Sequence, residues 1–165
     1  MSSYEYFQTT FEEIYDIWNE DLWPGRVSKI RCMSTLIWNS HVWEASGNIE
    51  ITNDQYIFDK YEPTFWAVRE DKEIVGVNSG FRTDDDIYRS RGLYVNPEKR
   101  GEGLSKLLLK LTIQIAKKEE CRTIWTMPRK SALVAYESVG FRKIGGWIDE
   151  EVEFGPNCIA INQLL

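Results

Sequence analysis

Leu93-Tyr94-Val95-Asn96-Pro97-Glu98-Lys99-Arg100-Gly101-Glu102-Gly103-Leu104-Ser105 is the stretch on which the reading of this chain turns. The run from Ile87 to Val95 has the apolar and aromatic content of a strand, and Asn96-Pro97 breaks it. Gly101 and Gly103 follow. Leu104, Leu107, Leu108, Leu111 and Ile115 then recur at helical spacing, and Leu109 and Ile113 widen the stripe, which predicts a helix from Leu104 to about Lys118 covered on more than one side. A strand thus runs through a glycine-bearing turn directly into a helix. The first amides of such a helix lack an intrahelical partner and carry the positive end of its dipole. Glycine also lets the backbone approach a ligand with no Cβ in the way. The turn therefore suits a pyrophosphate, with Arg100 adding a charge-assisted contact or ordering the turn. It equally suits a tight connection whose glycines serve only φ angles. No Gly-Lys-Ser/Thr closes it and no GxGxxG is present, so it is neither a Walker motif nor a dinucleotide fingerprint.

Upstream, Thr10-Phe11-Glu12-Glu13 reads as a capping box, and Phe11, Ile14, Tyr15 and Trp18 continue at helical spacing until Trp23-Pro24-Gly25. A second helix is expected over Ser28 to Asn39, and His41 to Glu62 reads as a long loop. Thr64–Arg69, Ile74–Arg82 and Ile87–Val95 then form an expected antiparallel meander, turning at Glu70-Asp71-Lys72-Glu73 and at the acidic tip Thr83 to Asp86. Downstream come a short strand from Arg122 to Thr126, a short helix from Ser131 to Val139 closed by Gly140, and two strands, Phe141–Trp147 and Asn157–Ile161. The expected order is two helices, three strands, helix, strand, helix, two strands.

Two segments now carry a resemblance. Arg100-Gly101-Glu102-Gly103-Leu104-Ser105 resembles the Arg/Gln-x-x-Gly-x-Gly/Ala signature of the GNAT superfamily, and Leu93 to Pro97 resembles that family's strand end. Ala132-Leu133-Val134-Ala135-Tyr136-Glu137-Ser138-Val139-Gly140-Phe141 is similar to its second hallmark, a helix ending in Tyr-x-x-x-Gly-Phe. Together, in this order, the two are far more specific than either alone. The resemblance implies an α+β fold of the GNAT acyl-CoA N-acyltransferase type: a mixed, mainly antiparallel sheet of six to seven strands with helices on both faces. It implies one N-acetyltransferase domain over residues 1–165, with 1–62 as a helical acceptor-side part and 63–165 as the sheet and CoA-binding part.

The activity so implied is transfer of an acetyl group from acetyl-CoA, a co-substrate, to a primary amine by direct attack in a ternary complex. The acceptor is a small molecule or a protein amino group. The backbone of Leu93, Tyr94 and Val95 would pair with the pantetheine arm as an added strand does. The amides of Arg100, Gly101, Glu102, Gly103, Leu104 and Ser105 would hold the pyrophosphate. The thioester would lie where two neighbouring strands diverge, and Tyr136 would protonate the departing thiolate, a task that suits a phenol of ordinary pKa about 10. Without the resemblance, Tyr136 reads as a packing residue. This chain departs from the family pattern at Ser105, in place of Gly or Ala, and at Arg129, where many members carry Asn. Arg129 and Lys130 read as solvated charges or as contacts to a CoA phosphate.

The general base is not assigned. The strand Ile87–Val95 offers Arg89 and Arg91 rather than a carboxylate, which leaves Glu70, Asp84 to Asp86 and the sole histidine, His41, as candidates. Trp18, Trp23, Trp38 and Trp43 either wall an acceptor pocket or close a core, and Asn78 and Ser79 face either the cleft or solvent. Two other readings stay open: a non-catalytic acyl-CoA-binding or sensing module of the same fold, and a nucleotide- or phosphate-binding protein using the glycine turn alone.

Composition bounds these readings. The chain has 165 residues, 42% hydrophobic and 28% charged, as a soluble globular domain does. Its net charge of −6 argues against nucleic acid or an anionic membrane as partner and favours cationic substrates. Cys32, Cys121 and Cys158 are widely spaced, so neither a zinc site nor a disulfide framework is expected, and no metal is invoked. No secretory leader and no membrane-spanning run is read, which makes a cytoplasmic protein the expectation. A homodimer through the C-terminal strands is compatible with the sequence but not demanded by it.

Overall fold

A computed structural model describes residues 3–24, 55–148 and 156–164. The second expected helix, Ser28–Asn39, lies outside the described residues, as do His41, Trp38, Trp43 and Cys32.

The chain opens with a strand that the sequence reading missed, β1 (Tyr4–Gln8), at the edge of the sheet. It pairs antiparallel with the next strand, and Arg69 of that neighbour stacks 4.5 Å from the Phe7 ring and bonds Glu5 at 2.8 Å. Helix α1 (Phe11–Ile17) starts where expected. The Thr10 hydroxyl accepts from the Glu13 amide at 3.4 Å, but the Glu13 carboxylate accepts from the Thr9 hydroxyl at 2.7 Å rather than completing a reciprocal box. The helix widens into a π-helical turn, Trp18–Leu22, and ends as the Trp23 amide reaches the Trp18 carbonyl at 2.8 Å. Gln55–Lys60 form a short helix, α2, inside the segment expected to be a loop.

The meander follows as β2 (Thr64–Glu70), β3 (Glu73–Asp84) and β4 (Ile87–Val95). β3 runs into the acidic tip, so the hairpin loop is shorter than expected. After a short 3-10 turn, Pro97–Lys99, helix α3 spans Leu104–Lys118, then β5 (Thr123–Thr126), α4 (Leu133–Glu137), β6 (Arg142–Ile148) and β7 (Asn157–Gln163). The sheet has seven strands in the order β1-β2-β3-β4-β5-β7-β6, antiparallel except where β4 meets β5. The expected α+β class, mixed sheet and strand number are those observed.

Helices cover both faces. On one, Ile14, Trp18, Leu22 and Trp23 pack on Phe65, Ala67 and Val77. On the other, α3 packs on Val68, Val75 and Val95 and, farther along, on Tyr88, Ile124 and Phe141. The buried stripe of α3 is Leu104, Leu108, Leu109, Thr112, Ile113 and Ala116. It is rotated from the expected one, leaving Leu107 40% exposed. Thr112 lies within the buried stripe. Its hydroxyl is drawn inward by Asn78, whose amide donates to it at 2.8 Å and to the Ser90 hydroxyl at 2.9 Å. Asn78 is therefore a buried structural residue, facing neither the cleft nor solvent.

Candidate active site

The parallel contact between β4 and β5 is short: Ile87 pairs Thr123, Tyr88 pairs Ile124 and Arg89 pairs Trp125. Past that rung the strands part. β4 stays with β3 as far as Val95, whereas β5 stays with β7, and its continuation bridges Arg129 to Asn157. A bulge bends β4 at this point. Its register on β3 shifts between Tyr94 and Arg91, Gly92 takes a φ of 81°, and Ser79 Oγ donates to the Arg91 carbonyl at 2.5 Å. Gly92 is required twice over. A Cβ there would be strained by the backbone and would lie 2.8 Å from the Trp18 ring.

Between the parted strands lies a cavity of about 260 Å³. β4 from Arg89 to Val95 forms one wall. Thr126, Met127, Pro128, Arg129 and Asn157 form the other, with Leu22 and Trp23 above and Ala132, the N-cap of α4, and Ala135 and Tyr136 of that helix alongside. Leu93, Tyr94, Val95, Arg100, Ser105 and Tyr136, all singled out in the sequence, line this one cavity. Gly101, Glu102 and Gly103 are exposed on the turn at its end, and Leu104 is buried as the first core residue of α3.

The turn has the conformation its glycines allow. Gly101 and Gly103 have φ of 86° and 83°, and a Cβ at either would meet no atom within 4 Å, so the turn's outer side is open. No side chain caps α3. The Arg100 Nε donates to the Val95 carbonyl at 2.9 Å, tying the turn to the strand end. Tyr136 is buried, its ring edge-on to Phe141 at 5.3 Å. The Tyr-x-x-x-Gly-Phe spacing produces this contact. Gly140, at φ 105°, ends the helix so that the Phe141 amide returns to the Tyr136 carbonyl at 3.2 Å.

Several candidates prove remote from the cavity. Glu70 pairs with Lys99 at 2.7 Å. Asp85 accepts from the Tyr61 hydroxyl at 2.7 Å and from Lys60 at 3.2 Å, and Asp86 pairs with Arg122 at 2.7 Å. None of the three lines the cavity, and the only carboxylate that does among the described residues is the exposed Asp21. Trp18 is wholly core, whereas Trp23 is both core and cavity wall. Arg129 is half-buried and donates to the Leu22 carbonyl at 2.8 Å, so it joins the π-helical turn to the end of β5 rather than standing in solvent. Burial pushes the Cys121 and Cys158 thiols up to about 11, and neither lines the cavity. No cluster of metal-ligating side chains occurs among the described residues, and no described helix is long and apolar enough to cross a membrane.

The sequence reading set Arg89 and Arg91 aside for not being carboxylates. In the structure both are buried, 1% and 4% exposed, and both line the cavity. Their signal was their spacing, two positions apart on one strand and hence on one face of it. Asn157 was also overlooked. It is buried, lines the cavity and donates to the Met127 carbonyl at 2.9 Å.

The family model for the Acetyltransferase (GNAT) family matches residues 11–141. The chain belongs to that family. Among curated proteins, human N-acetyltransferase 8B is 28% identical over 89 residues, which are 49% of this chain and 39% of that protein. The match thus spans well under half of that relative's length. Among solved structures, a GNAT-family acetyltransferase from Staphylococcus aureus Mu50 superimposes with a TM-score of 0.64 at 17% identity, covering 99% of this chain and 100% of that one. A Bacillus subtilis acetyltransferase in complex with CoA gives 0.55 at 19% identity, covering 100% of both chains. At such identities the likeness is one of fold.

Proposed function

We propose that this GNAT-family protein transfers an acetyl group from acetyl-CoA to a primary amine by direct attack in a ternary complex. The observation that carries the reading is the cavity that opens at the last β4–β5 rung, with the glycine turn at one end and Tyr136 in its wall. The residues fit the co-substrate. Uncapped amides at the start of α3, with an open glycine turn, suit a pyrophosphate, held through Arg100, Gly101, Glu102, Gly103, Leu104 and Ser105. The edge of β4 that β5 has left, at Leu93, Tyr94 and Val95, suits the amides of the pantetheine arm.

The amine nitrogen attacks the thioester carbonyl carbon, the carbon–sulfur bond breaks, and the thiolate takes its proton from the Tyr136 hydroxyl. The amine's extra proton leaves to solvent, and the Tyr136 phenolate takes a proton back from solvent, which closes the cycle. No cysteine or histidine lines the cavity among the described residues, which supports direct attack over an acetyl-enzyme. Residues 1–62 would serve the acceptor and 63–165 the co-substrate, within one domain. A cytoplasmic location is part of the proposal, supported by the free, buried state of Cys121 and Cys158. The test is an initial-rate matrix of acetyl-CoA against amines, read by release of the CoA thiol. Intersecting reciprocal plots are expected; parallel ones would indicate an acetyl-enzyme.

The scarcity of carboxylates in the cavity favours one alternative, a non-catalytic acyl-CoA-binding module. It predicts acetyl-CoA binding without thiol release for any amine.

A further inference from the structure

The roof of the cavity is the π-helical turn Trp18–Leu22 followed by Trp23, and Leu22 and Trp23 line the cavity directly. Such turns are rare and recur at functional sites. The Trp23 amide returns to the Trp18 carbonyl, but the last carbonyls of a helix have no intrahelical partner, and the Leu22 carbonyl is one of them. The negative end of the helix dipole lies there too, yet the turn has no basic residue of its own to meet it. The cation comes from Arg129, 107 positions away, whose Nη2 donates to the Leu22 carbonyl at 2.8 Å.

Arg129 is itself anchored to the sheet. It pairs antiparallel with Asn157 at the start of β7, and it lines the same cavity as Leu22 and Trp23. The opposite wall holds the roof as well. The Arg91 guanidinium of β4 lies 4.4 Å from the Trp23 ring centre and 5.0 Å from that of Trp18, and the Trp18 ring lies so close to Gly92 that no Cβ fits between them. The walls that part at Arg89 and Trp125 are thus rejoined across the top by one turn, and Arg129 is its tie to the β5 side. Trp18 is wholly buried among Ile14, Phe65, Ala67 and Val77, so the turn stays on the sheet without that tie. What the tie fixes is the last of the turn, Leu22 and Trp23.

We propose that Arg129 is a positioning residue for the amine acceptor: by holding the Leu22 carbonyl it sets where Leu22 and Trp23 stand over the cavity, and so where the attacking nitrogen meets the thioester. This rests on the acetyl-transfer reading above. Direct attack is sensitive to such placement, because a shift of about 1 Å caused far from the chemistry can cost about 100-fold in rate. A contact from Arg129 to a CoA phosphate would act on co-substrate affinity, whereas a tie to the roof acts on the acceptor.

The test measures acetyl-CoA Kd by calorimetry, and acceptor KM and kcat at saturating acetyl-CoA, for wild type, Arg129→Met and Arg129→Lys. The acceptor is whichever of tyramine, putrescine, alaninamide and a tetrapeptide with a free α-amino group releases the most thiol with wild type. Arg129→Met should keep its fold by circular dichroism and its acetyl-CoA Kd, while acceptor kcat/KM falls by at least about tenfold, the scale of a lost hydrogen bond from a charged group. Arg129→Lys should recover part of that loss, because lysine brings the charge without the guanidinium fork. Should Arg129→Met not fold, Arg129→Lys decides by the same two readings, a lowered acceptor kcat/KM with Kd unchanged. Unchanged acceptor kinetics in a folded variant, or a loss carried by acetyl-CoA Kd, would overturn the inference and leave the acetyltransferase reading standing. Acetyl-CoA bound by wild type, with no thiol released with any of the four amines, would overturn both.

Discussion

Arg89 and Trp125 form the last rung of the parallel ladder between β4 and β5, with the guanidinium carbon 4.7 Å from the Trp125 ring centre. The cavity begins where this rung ends, so Trp125 packs at the point where the strands part. Trp125 is fully buried, and its Nε1 donates to the Thr83 hydroxyl at 3.0 Å. Trp125→Ala should destabilise the fold by about 3–5 kcal/mol, measured by urea unfolding.

The Asn78, Ser90 and Thr112 side chains join β3, β4 and α3 through buried hydrogen bonds. Thr112→Val keeps the shape but withdraws one of the two oxygens that accept from the Asn78 amide. It should destabilise the protein by about 1–3 kcal/mol in the same measurement, with acetyl-CoA affinity unchanged.

Tyr136 is held by its edge-on contact with Phe141, which Tyr136→Phe retains. Loss of the hydroxyl alone should lower kcat by about 10²–10⁴-fold, the usual range for a general acid, with acetyl-CoA Kd unchanged by calorimetry. Unchanged turnover would return Tyr136 to a packing role.

Asp85 ties the end of α2 to the β3–β4 hairpin. Hydrogen bonds from Tyr61 and then Lys60 hold its carboxyl below the ordinary carboxylate value. A folded-state value below the unfolded one gives stability that is present above the unfolded value and lost as pH falls through the folded one. Asp85→Asn should therefore lower Tm slightly at pH 7, and the difference from wild type should vanish in acid, below the carboxylate range. The group is exposed, so high salt should shrink the effect at pH 7.

Much of this site was legible because its signals are local. Pro97, Gly101 and Gly103 punctuate the chain where the backbone must turn, and the apolar period of α3 starts at once, so its bounds, Leu104 and Lys118, could be read directly. Tyr136 and Phe141 meet through a helix end that Gly140 dictates. What was missed depends on partners far away in sequence. β1 is a short aromatic strand whose place is set by β2, some sixty residues later. Thr112 looks like a polar interruption in an apolar helix until Asn78 is opposite it. Arg89 and Arg91 alternate with Ser90 as surface charges would, and only the parting of β4 from β5 turns their face into a cavity wall.

The central claim is that the open turn at Gly101 and Gly103 receives the pyrophosphate of acetyl-CoA. A calorimetric titration of wild type and Gly103→Trp with acetyl-CoA, CoA and ATP tests it most directly. Space around Gly103 is open, so the variant should keep its fold by circular dichroism, with only the strain of a side chain at positive φ. The account predicts that wild type binds acetyl-CoA and CoA more tightly than ATP, and that the variant loses that binding. Wild-type protein that binds no acyl-CoA, or a folded variant that binds it undiminished, would contradict the account.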